Sequence, residues 1–253
     1  MLQQSPESFA RLHPMPTQLL DRERGQNVLP GDPEQHLAYD KDFYANYGKR
    51  ALDILSAAAG LILLSPVFGL VACCIKLTSR GPVLYRQVRI GRDGRPFKIL
   101  KFRSMIMQTS NRNLRITVAG DSRVTAMGKI LRRYKADELP QLWNVLRGDM
   151  SLVGPRPELL VYVAEYTPEQ RMVLSVRPGI TDPASLAYRY EEEVLADQGD
   201  PEQFYRTQIL PDKLARNRAY LQKITLRSDI RIILKTVSSS FLPAEKTGAR
   251  PAL

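Results

Sequence analysis

Two adjacent carboxylates, Asp137 and Glu138, lie in a segment that is otherwise rich in arginine and lysine, including Arg132, Lys135 and Arg156. Ionised neighbours of like charge repel each other, so the two residues either cap a helix or take part in chemistry. Capping is the simpler interpretation of an isolated Asp, which is a favoured N-cap residue. The basic neighbours and the free N–H groups of a helix start predict instead a phosphate-binding site.

Side chains that often act as nucleophiles or bases are absent from this basic region. Both histidines, His13 and His36, lie in the polar N-terminal part, and both cysteines, Cys73 and Cys74, lie in an apolar run. The sequence also lacks the GxxxxGK[ST] run that binds nucleoside triphosphates. A carboxylate can attack phosphorus covalently, so these absences favour a carboxylate nucleophile without selecting one of the two.

A magnesium ion would fit this chemistry. The positive field is expected to keep Asp137 ionised, and a Mg²⁺ shared by Glu138 and a diphosphate would neutralise the charge that repels the nucleophile. Mg²⁺ commonly takes only one or two protein carboxylates and completes its coordination with phosphate oxygens and waters. The acidic pair alone is therefore enough to predict Mg²⁺ as a cofactor held by Asp137 and Glu138.

The charge of the chain is positive and unevenly distributed. The formal net charge is +11, yet residues 1–48 hold four Lys and Arg against seven Asp and Glu, whereas residues 81–156 hold sixteen against five. A hydrophobic content of 43% excludes a chain that is disordered throughout. The basic middle predicts an anionic partner, which could be nucleic acid, a lipid surface or a phosphorylated small molecule.

An uncharged apolar run over residues 54–75 is long enough to cross a membrane. Its 22 residues would form roughly 33 Å of straight helix. Ser65 and Pro66 interrupt the run, and proline kinks or breaks a helix. Lys and Arg flank both ends, which favours the cytoplasmic face for both. We therefore expect a re-entrant helix that breaks at Ser65 and Pro66, with an ordinary kinked span as the alternative.

The expected fold class is α+β, with a mostly helical compact catalytic domain and a small β-hairpin. Alternating residues on either side of an Asp93-Gly94 turn predict the hairpin over 83–90 and 97–102. Helices are predicted over 127–134, 158–166 and 168–173, and within 201–224. A further helix is predicted to begin just after Asp137 and to end at Arg147, with Gly148 as its C-terminal stop. Residues 226–242 predict an amphipathic helix at the membrane interface. The stretch "VRPGITDPASL" is expected to be a loop.

Four regions follow from these patterns. We expect a polar, disordered tail over 1–46, a re-entrant membrane hairpin over 47–79, a catalytic domain over 80–225, and an amphipathic helix with a C-terminal tail over 226–253.

Several motifs of the chain, "LSP" in the apolar run, "KFRSM", "DELPQLWNVLRGDMSLVGPRP" and "RPGIT", resemble the bacterial sugar transferase family. These monotopic phosphoglycosyl transferases begin glycoconjugate assembly on a polyprenyl phosphate. The resemblance covers residues 49–181 and implies a re-entrant helix broken at Ser65 and Pro66. It also implies a Mg²⁺-dependent reaction at an Asp137 and Glu138 dyad. Asp137 would attack the β-phosphate of a UDP-sugar, release UMP and hold a phosphosugar until undecaprenyl phosphate accepts it.

The resemblance also assigns substrate contacts, position by position. Arg132 and Arg156 would contact phosphate groups, and Lys101, Arg103 and Arg177 are further candidates for phosphate or substrate binding.

The chain departs from the family pattern after "RPGIT". Here it continues with Asp182, Pro183, Ala184 and Ser185, followed by "LAYRYEEEVLA". Inferences about sugar specificity from better-known relatives therefore do not extend to this region. We expect the acidic triplet at 191–193 to be a solvated helix face and not part of the site.

The resemblance implies an enzyme on the cytoplasmic face of the bacterial inner membrane, with a UDP-sugar donor, undecaprenyl phosphate as acceptor and membrane lipid as partners. Downstream glycosyltransferases are candidate partners. Two alternatives are a membrane-anchored Mg²⁺-dependent diphosphate hydrolase and a basic nucleic-acid-binding or scaffold protein. A nucleic-acid partner is not expected, because the sequence has no helix-turn-helix, zinc or aromatic RNA-binding pattern.

Overall fold

The computed structural model describes residues 44–106 and 116–241. The predicted N-terminal tail lies outside the described residues except for 44–46, and so does the C-terminal tail from residue 242 onward. The described chain is mostly helical. Its α-helices are α1 (Lys49–Leu63), α2 (Ser65–Thr78), α3 (Ala126–Arg133), α4 (Gln141–Arg147), α5 (Leu160–Val163), α6 (Pro168–Arg171), α7 (Pro183–Ala187), α8 (Glu191–Ala196), α9 (Pro201–Phe204), α10 (Leu210–Leu221) and α11 (Leu226–Phe241).

Strands and non-α turns complete the described elements. The strands are β1 (Leu84–Ile90), β2 (Pro96–Phe102), β3 (Ser151–Val153) and β4 (Gly179–Thr181). Short 3₁₀ turns occur at Arg92–Gly94, Ala136–Glu138 and Met172–Ser175, and π-helical turns at Tyr44–Gly48 and Tyr205–Ile209.

Helices α1 and α2 form a pair that is bent by 59°. The chain breaks at Leu64, one residue before Ser65, and Pro66 lies in the first turn of α2, where proline is tolerated. Ser65 Oγ donates a hydrogen bond to the Ile62 carbonyl at 2.8 Å, which satisfies a group freed by the break. In the part of the chain described, no single helix has the length and apolarity of a membrane span, but the bent pair together does. Re-entrant insertion remains a prediction.

The predicted β-hairpin is confirmed. Strands β1 and β2 are antiparallel, with Leu84 opposite Phe102 and Ile90 opposite Pro96. Asp93 has φ of 56°, a left-handed conformation that Asp tolerates better than most residues, and it closes the turn with Gly94. Strand β2 contacts α4 and the 3₁₀ turn at Ala136–Glu138.

A second, unpredicted sheet has one of its strands, β4, in the stretch "VRPGITDPASL", which was expected to be a loop. Strands β3 and β4 pair in parallel, with Ser151 opposite Gly179 and Val153 opposite Thr181. A Cβ atom on Gly179 would lie 2.2 Å from the Gly154 backbone nitrogen, so the two segments approach too closely for any side chain there. This contact fixes the start of the "GPRP" loop, which contains Arg156.

The predicted helix over 127–134 is confirmed as α3, but the next helix starts later than expected. Asp137 lies inside the 3₁₀ turn, and α4 begins at Gln141 without a side-chain cap. The interpretation of Asp137 as a helix N-cap is therefore wrong. Gly148, with φ of 101°, ends α4 as predicted.

The predicted amphipathic C-terminal helix is confirmed as α11. Ile232 is buried against the main hydrophobic core, whereas five large apolar side chains of α11 are exposed. They are Leu226, Ile230, Leu234, Val237 and Phe241. A buried carboxylate at the start of α11, Asp229, accepts hydrogen bonds from Lys49 Nζ at 2.5 Å and from the hydroxyl groups of Tyr44 and Tyr220 at 2.7 and 2.6 Å.

Candidate active site

The two carboxylates are positioned by a sharp change of chain direction. Lys135 has φ of 55°, a left-handed conformation, and it follows Tyr134, the C-cap residue of α3. The Glu138 N–H then donates to the Lys135 carbonyl at 3.2 Å, which closes the 3₁₀ turn. As a result Asp137 and Glu138 are only 6% and 8% exposed.

Glu138 is held by two cations from different elements. Lys101 Nζ on β2 donates to Glu138 Oε1 at 2.9 Å. Arg156 donates through Nη1 to Glu138 Oε2 at 3.1 Å and through Nη2 to Oε1, a bidentate arrangement. Burial alone would raise the pKa of Glu138, but Arg156 and Lys101 together hold that pKa well below its usual range. Glu138 is therefore an ionised carboxylate with both oxygens bound.

Asp137 has the opposite environment. Burial and the neighbouring negative charge of Glu138 raise the pKa of Asp137, while Lys101, Arg132 and Lys135 oppose the rise. The positive field was expected to keep Asp137 ionised, but burial and the charge of Glu138 outweigh the basic residues and raise its pKa. Among residues 44–106 and 116–241, no hydrogen bond to the Asp137 carboxylate is present. Its oxygens are available to a substrate.

Arg132, a predicted phosphate contact, lies near Asp137 but is paired with an acid. Its Nη2 donates to Glu192 Oε1 on α8. The acidic triplet is therefore not simply a solvated face: Glu192 contacts Arg132, and Glu191 binds Lys213 Nζ at 2.9 Å. Glu193 is more exposed than the other two residues.

The other two arginines predicted to bind substrate are placed elsewhere. Arg103 is buried and its Nη2 donates to the Ser79 carbonyl at 2.7 Å, at the C-terminal end of α2. Arg177 Nε donates to the Gly148 carbonyl at 3.0 Å. Gly148 follows the C-terminus of α4. The seven residues of this helix separate Gly148 by about 10 Å from the N-terminal end, which lies next to Asp137 and Glu138. Both arginines thus bind carbonyl groups at helix ends. Of the basic residues predicted for the site, only Lys101 and Arg156 bind Glu138 within the described part of the chain.

Sequence reasoning missed a buried asparagine that sets the position of β2. Asn144 Oδ1 accepts from the Leu100 N–H at 3.0 Å, and Asn144 Nδ2 donates to the Lys98 carbonyl at 2.9 Å. These bonds tie α4 to the strand beside Lys101. The signal was present in the sequence, because Asn144 lies on the same helix face as the buried Gln141 and Val145.

A second missed residue is Asp182, in the segment that departs from the family pattern. It is fully buried and caps α7, accepting from the Ser185 N–H and hydroxyl, both at 2.8 Å. Its negative charge raises the pKa of Arg156, after the larger effect of Glu138. Asp182 therefore supports the same arginine that binds Glu138.

The acidic pair fits a magnesium ion in the type of its donors. Asp137 and Glu138 offer hard oxygen ligands, but Glu138 would have to exchange Lys101 or Arg156 for the metal. A cation would offset the negative charge of Glu138, which adds to burial in raising the pKa of Asp137. Within the described residues, no group of three or more His, Cys, Asp or Glu side chains is arranged to hold a metal. Mg²⁺ does not need a third carboxylate when a diphosphate supplies the other oxygens. Magnesium remains a prediction.

Comparison with known proteins agrees with the motifs. The model of a family described as bacterial sugar transferase matches residues 44–242. The chain is 37% identical over 236 residues to a UDP-glucose:undecaprenyl-phosphate glucose-1-phosphate transferase of Caulobacter vibrioides, an alignment that covers 92% of this chain and 82% of that protein.

Two further relatives show similar identity. A UDP-N-acetylgalactosamine-undecaprenyl-phosphate N-acetylgalactosaminephosphotransferase of Aeromonas hydrophila is 39% identical over 192 residues, 75% of this chain and 42% of that protein. The exopolysaccharide production protein PSS of Rhizobium leguminosarum bv. phaseoli is 38% identical over 198 residues, 76% of this chain and 94% of that protein. The chain belongs to the bacterial sugar transferase family. Within this family it is a phosphoglycosyl transferase.

Proposed function

We propose that this protein transfers a sugar-1-phosphate from a UDP-sugar to undecaprenyl phosphate and releases UMP, as the first membrane step of glycoconjugate assembly. The observation that supports this most directly is the unequal pair of buried carboxylates. Glu138 has both oxygens bound by Lys101 and Arg156, whereas Asp137 has its oxygens available. The names of the relatives supply the substrate class.

In the first step, an Asp137 carboxylate oxygen attacks the β-phosphorus of the UDP-sugar. The bond between that phosphorus and the bridging oxygen breaks, UMP leaves with the oxygen, and an aspartyl-phosphosugar remains. Lys101 and Arg156 both bind Glu138, the residue next to Asp137, and from there they can stabilise charge on the phosphoryl oxygens. When bound, Mg²⁺ would offset the negative charge of the diphosphate and of the two carboxylates.

In the second step, a phosphate oxygen of undecaprenyl phosphate attacks the same phosphorus. The bond to Asp137 breaks, the carboxylate is regenerated, and the product is undecaprenyl-diphospho-sugar. Burial of Asp137 serves this step because a water-poor site limits hydrolysis of the acyl-phosphate intermediate. This mechanism also selects between the two carboxylates, since Glu138 would first have to release both cations to become a nucleophile.

For this reaction we propose a monotopic enzyme on the cytoplasmic face of the bacterial inner membrane. The bent pair α1 and α2 exposes Leu55, Ile62, Leu63 and Leu70, which suits insertion into one leaflet. The exposed apolar stripe of α11 is accompanied by Arg227, Arg231 and Lys235, a composition suited to anionic headgroups. A soluble donor and a lipid acceptor can then reach the same aspartate.

The test incubates the full-length protein with Mg²⁺, undecaprenyl phosphate and a panel of UDP-sugars that includes UDP-glucose and UDP-N-acetylgalactosamine, and measures UMP. We expect release of UMP with one or more sugars, and its loss in Asp137→Asn. Asp197→Asn, at an exposed position, is the matched control and should retain activity. Intact-mass measurement without acceptor should show a phosphosugar adduct on the wild-type chain and none on Asp137→Asn.

Three outcomes would contradict the proposal. Substantial UMP release by Asp137→Asn would exclude the aspartyl intermediate. Release of sugar phosphate to water at the same rate with and without the lipid acceptor would favour a diphosphate hydrolase. Tight binding of nucleic acid at physiological salt, without turnover of any UDP-sugar, would favour a nucleic-acid-binding scaffold.

A further inference from the structure

Helix α8 places an acidic side chain against a residue predicted to bind phosphate. Glu192 Oε1 accepts a hydrogen bond from Arg132 Nη2, although the two residues are 60 positions apart in the sequence. Arg132 lies in the last turn of α3, and the chain leads from there through Lys135 into the 3₁₀ turn with Asp137. The ion pair therefore connects α8 to the segment that forms the candidate active site.

Contacts on both sides of Glu192 hold α8 in place. The Ala119 N–H donates to the Glu192 carbonyl at 2.9 Å, and Lys213 Nζ donates to the adjacent Glu191 at 2.9 Å. Leu195, on the next turn, is fully buried in the main core. The backbone of Glu192 is thus fixed, and its carboxylate is presented to Arg132 at a defined position.

Arg132 can bind an anion better than it binds Glu192. The contact with Glu192 uses the single nitrogen Nη2, whereas a guanidinium group can offer two parallel N–H donors to phosphate oxygens. Arg132 also acts on Asp137: burial raises the pKa of that carboxyl, and the positive charge of Arg132 opposes the rise. A phosphate bound to Arg132 would therefore lie within electrostatic reach of the nucleophile.

The ion pair is also easy to exchange. The side chains of Arg132 and Glu192 are 22% and 43% exposed, so water and ions reach both partners. Exposed pairs of this kind change an equilibrium constant by only about two- to fivefold. Separation of Arg132 from Glu192 is thus a small obstacle to a ligand that binds the guanidinium through two donors.

We propose that Glu192 occupies, in the substrate-free enzyme, the position on Arg132 that a phosphate group of the nucleotide-diphosphate donor takes on binding. Glu192 is then a residue that sets donor affinity by competition, and its carboxylate returns to Arg132 when UMP leaves. This inference rests on the proposed function for the identity of the donor. Glu192 lies in the segment 182–196, in which the chain departs from the family pattern.

The test compares Glu192→Gln with wild type in the full-length protein. Because the amide no longer competes as a charged group, we expect the KM for the UDP-sugar to fall by about two- to fivefold while kcat changes little. The dissociation constant for UDP with Mg²⁺, measured by isothermal titration calorimetry, should fall by a similar factor. Glu193→Gln removes the same charge one residue away, at an exposed position, and should change neither value.

A double-mutant cycle with Arg132→Gln identifies the partner. In the Arg132→Gln background, which itself weakens donor binding, Glu192→Gln should have no further effect. An unchanged or increased KM and UDP dissociation constant in Glu192→Gln would overturn the inference, as would an equal decrease in Glu193→Gln. If the wild type released no UMP with any sugar, the proposed function would fail, and UDP binding would still decide whether Glu192 competes at Arg132.

Discussion

Replacement of Asn144 by Ala tests whether α4 positions the basic strand of the active site. Asn144 is 2% exposed, and its side chain bonds the Leu100 N–H and the Lys98 carbonyl of β2. Loss of a partner to a buried backbone group costs about 1–3 kcal/mol. The Leu100 N–H should bear this full cost, whereas the Lys98 carbonyl belongs to an exposed residue and can bind water. We therefore expect destabilisation by about 1–3 kcal/mol.

For a chain of this length, 1 kcal/mol corresponds to a shift in Tm of about 2–4 °C, so Asn144→Ala should lower Tm by about 2–12 °C. Lys101 follows Leu100 directly, and a displaced Lys101 no longer orients Glu138, so transfer activity should fall by about ten- to hundredfold. Differential scanning fluorimetry and UMP release measure the two effects, with the exposed Gln208→Ala as control. A fall in Tm below 2 °C together with full activity would refute the positioning role.

Two further predictions follow from other contacts. Arg156→Lys keeps the positive charge but cannot reproduce the two-nitrogen contact with Glu138. We therefore expect kcat/KM in the UMP assay to fall by about tenfold or more. An unchanged kcat/KM in this variant would contradict the bidentate role of Arg156. Gly179→Ala puts a Cβ 2.2 Å from the Gly154 nitrogen, while Gly199→Ala meets nothing within 4 Å. The first variant should lose about 1–3 kcal/mol or more in unfolding measurements and the second should not, and equal Tm values would contradict the close approach of the two segments.

Local patterns in the sequence predicted the local elements. The alternation on either side of Asp93 and Gly94 predicted the hairpin, and the apolar periodicity of residues 226–242 predicted α11, because both depend on neighbours close in sequence. Strands β3 and β4 were missed because each has three residues and its partner lies 28 positions away. No periodicity is visible over so short a strand.

The candidate site was predicted in its composition and less well in its geometry. Asp137, Glu138, Lys101 and Arg156 come together as expected for one site. The helix cap at Asp137 was wrong because the left-handed conformation of Lys135 redirects the chain, and no residue-type preference indicates it.

Charge counts also could not decide which basic residues serve the site. Arg103 and Arg177 have the same chemistry as Arg156, yet tertiary packing directs them to carbonyl groups at the ends of α2 and α4. The contact between Arg132 and Glu192 could not be predicted from the sequence, because the two residues lie on separate helices.

The buried carboxylate of Asp229 has a mechanical consequence for an enzyme working at a lipid surface. Its bonds to Lys49 and Tyr44 join the start of α11 to the start of the bent helical pair, 180 positions earlier. Near its other end, α11 contacts the catalytic domain through Thr236, whose hydroxyl lies 2.6 Å from that of Thr181. These contacts hold the bent pair, α11 and the catalytic domain together as one body. With the bent pair inserted as proposed, its depth in the bilayer would set the height of Asp137 above the acceptor phosphates, and bilayer thickness would become a determinant of turnover.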